Sequence, residues 1–100
     1  MITFTARLKA LAGKEEEAEE GFKAMAAVAA AEPGALAYIC HRTANAGEFL
    51  FFEVYADQAA KDAHMATPHF QKLMALMGPV LDAAYGAQIE DLDRVAGFAR

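Results

Sequence analysis

An α+β fold with a single antiparallel sheet is predicted by three observations. Apolar residues change from alternating to helical spacing and back, in the order β-α-β-β-α-β. A short turn, Ala44-Asn45-Ala46-Gly47, joins the two middle strands into a hairpin. The second helical stretch is interrupted at Thr67-Pro68. This order is the split βαβ, or ferredoxin-like, arrangement, in which helices cover one face of the sheet.

Composition limits the class of protein. We expect one domain over residues 1–100, a length that suffices for one hydrophobic core. The net charge of -5, with no basic cluster, argues against nucleic acid or an anionic membrane as partner. No apolar run has membrane-spanning length, and the chain starts as a strand rather than a leader, so we expect a cytoplasmic protein. The single cysteine, Cys40, predicts neither an internal disulfide nor a Cys-based metal site.

The first half of the chain predicts one strand and one helix. Residues 2–11 alternate between apolar and polar side chains, as in a half-buried strand. A helix is predicted over residues 14–31, because the acidic run at its start suits the helix dipole and Glu32-Pro33-Gly34 ends it. The residues of its apolar stripe are Phe22, Met25, Ala26 and Ala29.

The second half predicts a hairpin, two short helices and a last strand. The hairpin strands are 35–43 and 48–56, the helices are 57–66 and 68–82, and the last strand is 84–94. Thr67 is a suitable N-cap, and Pro68 at the first helical position loses no hydrogen bond. Gly78-Pro79 is expected to kink or end the second of these helices.

The second hairpin strand carries apolar residues on both faces. One face has Leu50, Phe52 and Val54, and the other has Phe49, Phe51, Glu53 and Tyr55. One helix layer covers only one face, so a second copy of the sheet on the other face, and hence a homodimer, is predicted. We expect Glu53 and Tyr55 on the dimer face. Glu53 then needs a partner there such as a hydroxyl or an arginine, and the arginines available are Arg7, Arg42 and Arg94.

The element order and the stretch from Glu53 to Phe70 resemble the antibiotic biosynthesis monooxygenase family. This stretch reads EVYADQAAKDAHMATPHF, with a strand end, a helix start at Asp57–Ala60, and two histidines, His64 and His69. The order of elements matches over nearly the whole chain, whereas the specific residues lie within 53–70. The chain is most similar to the quinol monooxygenase branch and to the related isomerase of a phosphorylated quorum-sensing signal, autoinducer-2 phosphate.

The resemblance implies a dimeric α+β barrel without a bound cofactor. Tyr55 replaces the tryptophan usual in the family, as it does in the isomerase-like members. The haem-degrading branch uses an asparagine, a tryptophan and an iron-ligating histidine. The corresponding positions here hold Ala6, His64 and Met74, so haem degradation is not expected.

His64 is the first candidate for catalysis. It follows Ala60 by four residues, so both lie on the helix face that packs toward the sheet. It is either a hydrogen-bonded histidine at a helix C-terminus or a general acid or base that lines a pocket. The resemblance favours the catalytic role.

His69 is the second candidate. It lies at the second helical position after Thr67, where the helix dipole favours a neutral ring, although the Thr-Pro-His turn is equally explained as a helix start. His41 reads as an ordinary strand residue, and the three histidines have no metal-binding spacing, so no metal site is predicted. The absence of serine excludes a serine-based catalytic triad.

Several large apolar residues are expected in the core, and some of them beside a cavity for a flat ligand. The candidates for substrate binding are Phe22, Phe52, Phe70 and Met74.

The leading hypothesis is a cofactor-independent monooxygenase that uses O2 on a quinol-like or polyphenolic small molecule. The family resemblance implies it, and no flavin, nicotinamide or metal motif is present. One alternative is an isomerase that moves a proton in a small carbonyl compound; the lack of an arginine or lysine cluster counts against a phosphorylated substrate. Another is a non-catalytic dimeric ligand-binding module, which needs no base.

Overall fold

The computed structural model describes residues 1–100 as one four-stranded antiparallel sheet with three helices on one face. The sheet has the strand order β2-β3-β1-β4. The elements are β1 (Ile2–Lys9), α1 (Glu15–Ala29), β2 (Ala35–Arg42), β3 (Glu48–Tyr55), α2 (Gln58–Ala66), α3 (Pro68–Met77) and β4 (Gln88–Asp91). The predicted α+β, ferredoxin-like fold is confirmed. No helix combines the length and the apolar character needed to cross a bilayer.

The last strand is shorter than the predicted span of 84–94. The chain turns at Asp82, whose Oδ1 accepts hydrogen bonds from the backbone N–H groups of Ala84 and Tyr85. Gly86 then adopts a positive φ of 69°. This turn uses the residues that would begin the strand, so pairing with β1 is limited to Gln88–Asp91.

The core lies between α1 and the inner face of the sheet. α1 buries Ala18, Phe22, Met25 and Ala29, which are spaced along one side of the helix. The Phe22 ring meets the rings of Phe49 and Phe51 edge-on, at centroid distances of 5.0 and 4.8 Å. Helix α1 is thereby fixed across the centre of β3.

The register of β1 with β3 decides which face of β3 meets the helices. Phe4 lies opposite Glu53, and Ala6 lies opposite Phe51, so all four share the inner face. The prediction that Glu53 and Tyr55 belong to a dimer face is therefore wrong. The set with three aromatic rings fills the space under the helices, and the hydroxyl of Tyr55, not an arginine, is the partner of Glu53.

The outer face of the sheet carries the other set of β3 residues. Val54 is only 3% exposed there, and Phe52 is partly buried. A cavity of about 450 Å³ separates this face from the C-terminal tail and is lined on the tail side by Arg94, Ala96, Gly97, Phe98 and Ala99. Leu36 and Ile39 of β2 are half exposed beside it.

Helices α2 and α3 meet at Thr67. Asp57 caps α2 by accepting a hydrogen bond from Ala60 N–H at 2.8 Å. Thr67 Oγ1 accepts from Phe70 N–H at 3.2 Å and donates to the carbonyl of His64 at 2.9 Å. The predicted N-cap is confirmed, and the same hydroxyl also secures the last turn of α2. Helix α3 ends at Met77, directly before Gly78-Pro79.

Candidate functional site

A cavity of about 360 Å³ lies between the inner face of the sheet and the three helices. Thirteen of its 16 lining residues are hydrophobic, so it suits a flat apolar ligand. The sheet contributes Phe4, Ala6, Leu8, Tyr38, Phe51, Glu53, Tyr55 and Ile89, with Ala87 just before β4. The helices contribute Phe22, Met25, Lys61, His64, Met65, Phe70 and Met74.

His64 presents its imidazole in this cavity and is bound by Glu32. The side chain is 3% exposed, and its Nδ1 lies 2.8 Å from Oε1 and 2.9 Å from Oε2 of Glu32. A carboxylate only accepts hydrogen bonds, so with Glu32 ionised the hydrogen is on Nδ1. The carboxylate thereby fixes both the tautomer and the ring orientation.

The other ring nitrogen, Nε2, is buried and has no hydrogen-bond partner among the protein atoms. In the neutral ring held by Glu32, Nε2 carries the free lone pair, which is the form that accepts a proton. The rings of Tyr38, Tyr55 and Phe70 surround the imidazole at centroid distances of 5.5, 5.4 and 5.0 Å. The arrangement is that of a positioned base in apolar surroundings.

The connection from α1 to β2 brings Glu32 to α2. Ala56 N–H donates to the carbonyl of Gly34 at 2.9 Å, which ties this connection to the end of β3. Gly34 also lies against Ala60 so closely that a Cβ on Gly34 would overlap the Ala60 methyl. The glycine therefore lets the connection approach α2, one turn before His64.

A second polar group in the cavity is the buried pair of Glu53 and Tyr55. Tyr55 Oη donates to Glu53 Oε1 at 2.7 Å, and the two side chains are 0% and 8% exposed, respectively. Burial raises the pKa of Glu53, while the hydrogen bond from Tyr55 and the charges of His64 and Lys61 oppose that change. Burial and the neighbouring carboxyl both raise the pKa of the Tyr55 hydroxyl, so it remains a donor.

Lys61 is the one lysine or arginine residue that lines the cavity. Its Nζ lies 4.4 Å from the centroid of the Phe4 ring, within cation–π distance. Tyr38 of β2 also lines the cavity, and burial raises the pKa of its hydroxyl. No group of three or more histidine, cysteine, aspartate or glutamate side chains is placed to hold a metal ion.

The structure brings together some of the predicted site residues. His64, Phe22, Phe70 and Met74 all line the cavity. Phe52 does not, because its side chain is on the outer face of the sheet, beside the C-terminal tail.

His69 also lies outside the cavity. It is exposed on the first turn of α3 and is not among the lining residues. On α2, the prediction that Ala60 and His64 face the sheet is confirmed.

Glu32 belongs to the site although its sequence context does not predict it. Its Glu-Pro-Gly context reads as a helix stop, and its contact with His64 spans 32 positions. From the sequence, Glu53 is expected on the face of the sheet that is not covered by the helices. Alternation along the strand groups Glu53 with Phe49, Phe51 and Tyr55. Phe22, in the apolar stripe of α1, packs against this group and so shows which face meets the helices.

Comparison with known proteins agrees with this fold. The antibiotic biosynthesis monooxygenase family matches residues 1–76. Rv0793 of Mycobacterium tuberculosis, provisionally named as a monooxygenase, is 35% identical over 51 residues, which are 51% of this chain and 50% of that protein. That match thus spans about half the length of the relative.

Solved structures cover nearly the whole chain. A Caulobacter crescentus CB15 structure, provisionally named as an antibiotic biosynthesis monooxygenase, is 37% identical with a TM-score of 0.86. The alignment covers 95% of this chain and 90% of that one. PA3566 from Pseudomonas aeruginosa is 29% identical with a TM-score of 0.85, over 95% and 94% of the two chains. This chain therefore belongs to the antibiotic biosynthesis monooxygenase family.

Proposed function

We propose that the protein is a cofactor-independent monooxygenase that acts on a quinol-like or polyphenolic small molecule. The observation that carries the proposal is His64, whose Nδ1 is held by Glu32 while its Nε2 is buried in an apolar cavity without a partner. Such a base matches the one demand that this chemistry makes on a protein, which is to deprotonate a phenol away from water.

The reaction begins when Nε2 of His64 removes the phenolic proton. The resulting phenolate is electron-rich, and it passes an electron to O2 within the cavity. The two radicals then combine to form a C–O bond. One oxygen atom remains in the quinone product and the other leaves as water, so the substrate supplies all the electrons that reduce O2. Glu32 stabilises the imidazolium that forms in the first step.

Oxygen uptake tests the proposal directly. Protein prepared without added metal or flavin is mixed with a panel of quinols and anthrone-like phenols, and O2 consumption is recorded together with product mass. We expect uptake that needs the protein and a product that contains an oxygen atom from labelled O2. Uptake that only yields hydrogen peroxide, or no uptake with any compound, contradicts the proposal.

A second candidate is an isomerase that moves a proton in a small carbonyl compound. The specific observation in its favour is that two proton-exchanging side chains, His64 and Glu53, line one cavity. Isomerisation of a keto-sugar phosphate by protein that consumes no O2 with any phenol would favour this reading. Lys61 is then the single lining ammonium group available to the phosphate.

We further propose that the protein is a cytoplasmic homodimer that pairs through the outer face of the sheet. Leu36 and Ile39 expose 55% and 50% of their surface there, next to Phe52. This is the face opposite to the one predicted from sequence. Sedimentation at low micromolar concentration as a 10.7 kDa species would contradict the dimer.

A further inference from the structure

The chemistry proposed above needs a proton donor as well as a base. In the oxygenation, one oxygen atom must leave as water, and in an isomerisation a carbonyl oxygen must gain a proton. His64 supplies the base, and its Nδ1 is already committed to Glu32. Few other lining side chains exchange protons, and these are Tyr38, Glu53, Tyr55 and Lys61.

Glu53 is the carboxyl among them, and its position is fixed from the sheet. It lies between Phe4 of β1 and Tyr38 of β2 on the inner face. Tyr55 Oη holds Oε1 at 2.7 Å and is the carboxyl's one hydrogen-bond partner. Because the side chain lines the cavity and Oε1 is engaged, Oε2 is the oxygen available to a ligand.

Glu53 and His64 flank the same tyrosine. The His64 ring lies 5.4 Å from the Tyr55 ring, and the hydroxyl of that tyrosine binds Glu53. A protonated His64 is also close enough to act on the carboxyl. Both side chains line one cavity, so we expect a two-ring ligand in contact with the imidazole to reach Oε2.

We propose that Glu53 is a catalytic acid of this cavity, that its Oε2 donates a proton to an oxygen atom of the substrate, and that Tyr55 positions it. The assignment rests on the proposed proton-transfer function of His64. Proton removal and proton donation then have separate residues. His64 is the base, oriented by Glu32, and Glu53 is the acid, oriented by Tyr55.

The step balances as follows for the oxygenation. After C–O bond formation, the proton on His64 moves to the terminal oxygen and gives a hydroperoxide. The ring carbon that bears the hydroperoxide also bears a hydrogen, and Nε2 of His64 removes this hydrogen as a proton. The electron pair of the C–H bond then forms the C=O bond. The O–O bond breaks, and its electron pair leaves with the terminal oxygen, which takes the Glu53 proton and departs as water. Proton transfer from His64 to Glu53 restores both residues.

The surroundings favour the protonated form of Glu53 that this step requires. Burial raises its pKa, and this effect outweighs the Tyr55 hydrogen bond and the nearby positive charges. Helices α1 and α3 present only apolar side chains to the cavity. The titratable groups that act on Glu53 or are acted on by it come from β2, β3 and α2, and they are Tyr38, Cys40, Tyr55, Lys61 and His64.

Infrared spectroscopy of the whole protein tests the proposal without relying on turnover. At about pH 5.5 an ordinary glutamate is mostly ionised, and a protonated-carboxyl band that disappears when Glu53 is replaced is assigned to Glu53. We expect this band in the wild type, its loss in Glu53→Gln, and a shift when 2-naphthol is added as probe. The matched control is Glu48→Gln, because Glu48 also accepts a hydrogen bond from a tyrosine but lies outside the cavity.

Kinetics on any compound that the wild type converts gives the second readout. Glu53→Gln, which keeps an acceptor for Tyr55, should lower kcat by about 100-fold with little change in KM, while Glu48→Gln changes neither. Tyr55→Phe removes a contact that lowers the pKa of Glu53, so the alkaline limb of kcat should move to higher pH. A merely structural tyrosine would not move that limb.

The outcomes separate this proposal from the previous one. No turnover of any compound by the wild type would refute the proposed function, whatever the infrared band shows. A Glu53 carboxyl that is ionised at about pH 5.5, or whose band does not respond to 2-naphthol, overturns the assignment of Glu53. Full kcat in Glu53→Gln does the same.

Discussion

Strand β3 carries two glutamates that each accept a hydrogen bond from a tyrosine, and their acidities move in opposite directions. At the cavity end, Tyr55 donates to Glu53. At the hairpin end, Tyr85 donates to Glu48. The pKa of Glu53 is raised, whereas the pKa of Glu48 is lowered to about 2.

The difference comes from solvent and from the number of donors. Glu48 is partly exposed and also accepts from Thr43 Oγ1 at 2.7 Å and Asn45 Nδ2 at 3.2 Å, so its carboxylate is well stabilised. Glu53 has one donor and is buried. The same Glu–Tyr contact thus belongs to a solvated turn at the hairpin end and to a buried carboxyl at the cavity end.

We expect the largest effect on kcat from substitution of His64, which tests whether catalysis takes place at the cavity end of the sheet. Replacing His64 by glutamine removes the base while keeping a polar side chain, and kcat should fall by about 100-fold or more. The matched variant is His41→Gln, since His41 is exposed on β2 and bonds only to the Leu50 carbonyl. Equal losses in both variants would break the comparison.

Glu32→Gln should have the next largest effect. The amide can donate to Nδ1 and so place the hydrogen on Nε2, which removes the free lone pair. We expect kcat to fall on the order of 10- to 100-fold with KM nearly unchanged. Steady-state kinetics beside Glu20→Gln, an exposed residue of α1, measures this. A rise in KM at constant kcat would instead make Glu32 a binding residue.

Gly34→Ala should perturb the cavity end through the backbone. The new methyl overlaps the Ala60 methyl, which cannot rotate away, so α2 must shift. We expect a destabilisation of about 1–3 kcal/mol in urea unfolding, together with reduced turnover. In Gly21→Ala the new methyl meets the flexible thioether of Met77, and the change also favours the helix, so its cost should be smaller. The reverse order would contradict this reading.

We expect the smallest effect in the pH dependence of the free energy of unfolding, to which Glu48 and Glu53 contribute differently. The lowered pKa of Glu48 gives stability that is complete above its ordinary value of 4.5 and is lost as pH falls toward 2. Glu48→Gln should therefore be less stable than the wild type at neutral pH, and the two should converge in acid.

The contribution of Glu53 to stability changes with pH in the opposite direction. Its raised pKa gives a contribution that is complete below 4.5 and is lost as pH rises through the folded-state value. Glu53→Gln should consequently gain stability relative to the wild type as pH rises. Urea midpoints measured across this range check both variants, and parallel curves would refute the assigned directions.

The fold could be predicted because its signals are local. Alternation in β1, the stripe on α1, and the Thr67-Pro68 cap each depend on neighbours within a few residues. The placement of His64 was predictable for the same reason, since it lies one helical turn after Ala60. Its catalytic role stays a proposal.

The polar half of the site depends on contacts that no local pattern shows. β3 is apolar on both faces, so alternation defines two sets of residues without saying which one meets the helices. The set that contains Glu53 is predicted to form a dimer face, whereas the structure buries it under the helices, where the hydroxyl of Tyr55 donates a hydrogen bond to Glu53. Likewise, Glu32 reaches His64 because a loop docks on α2.

The close contact of Gly34 with Ala60 has a consequence for the order in which the protein matures. Helix α2 can form locally within microseconds, yet the imidazole that it carries has no oriented tautomer until the loop before β2 has docked. We expect that docking to follow the pairing of β3 with β1, which joins distant parts of the chain. Catalytic activity should therefore appear late during refolding. The time at which it is first measured would then indicate when the sheet is complete.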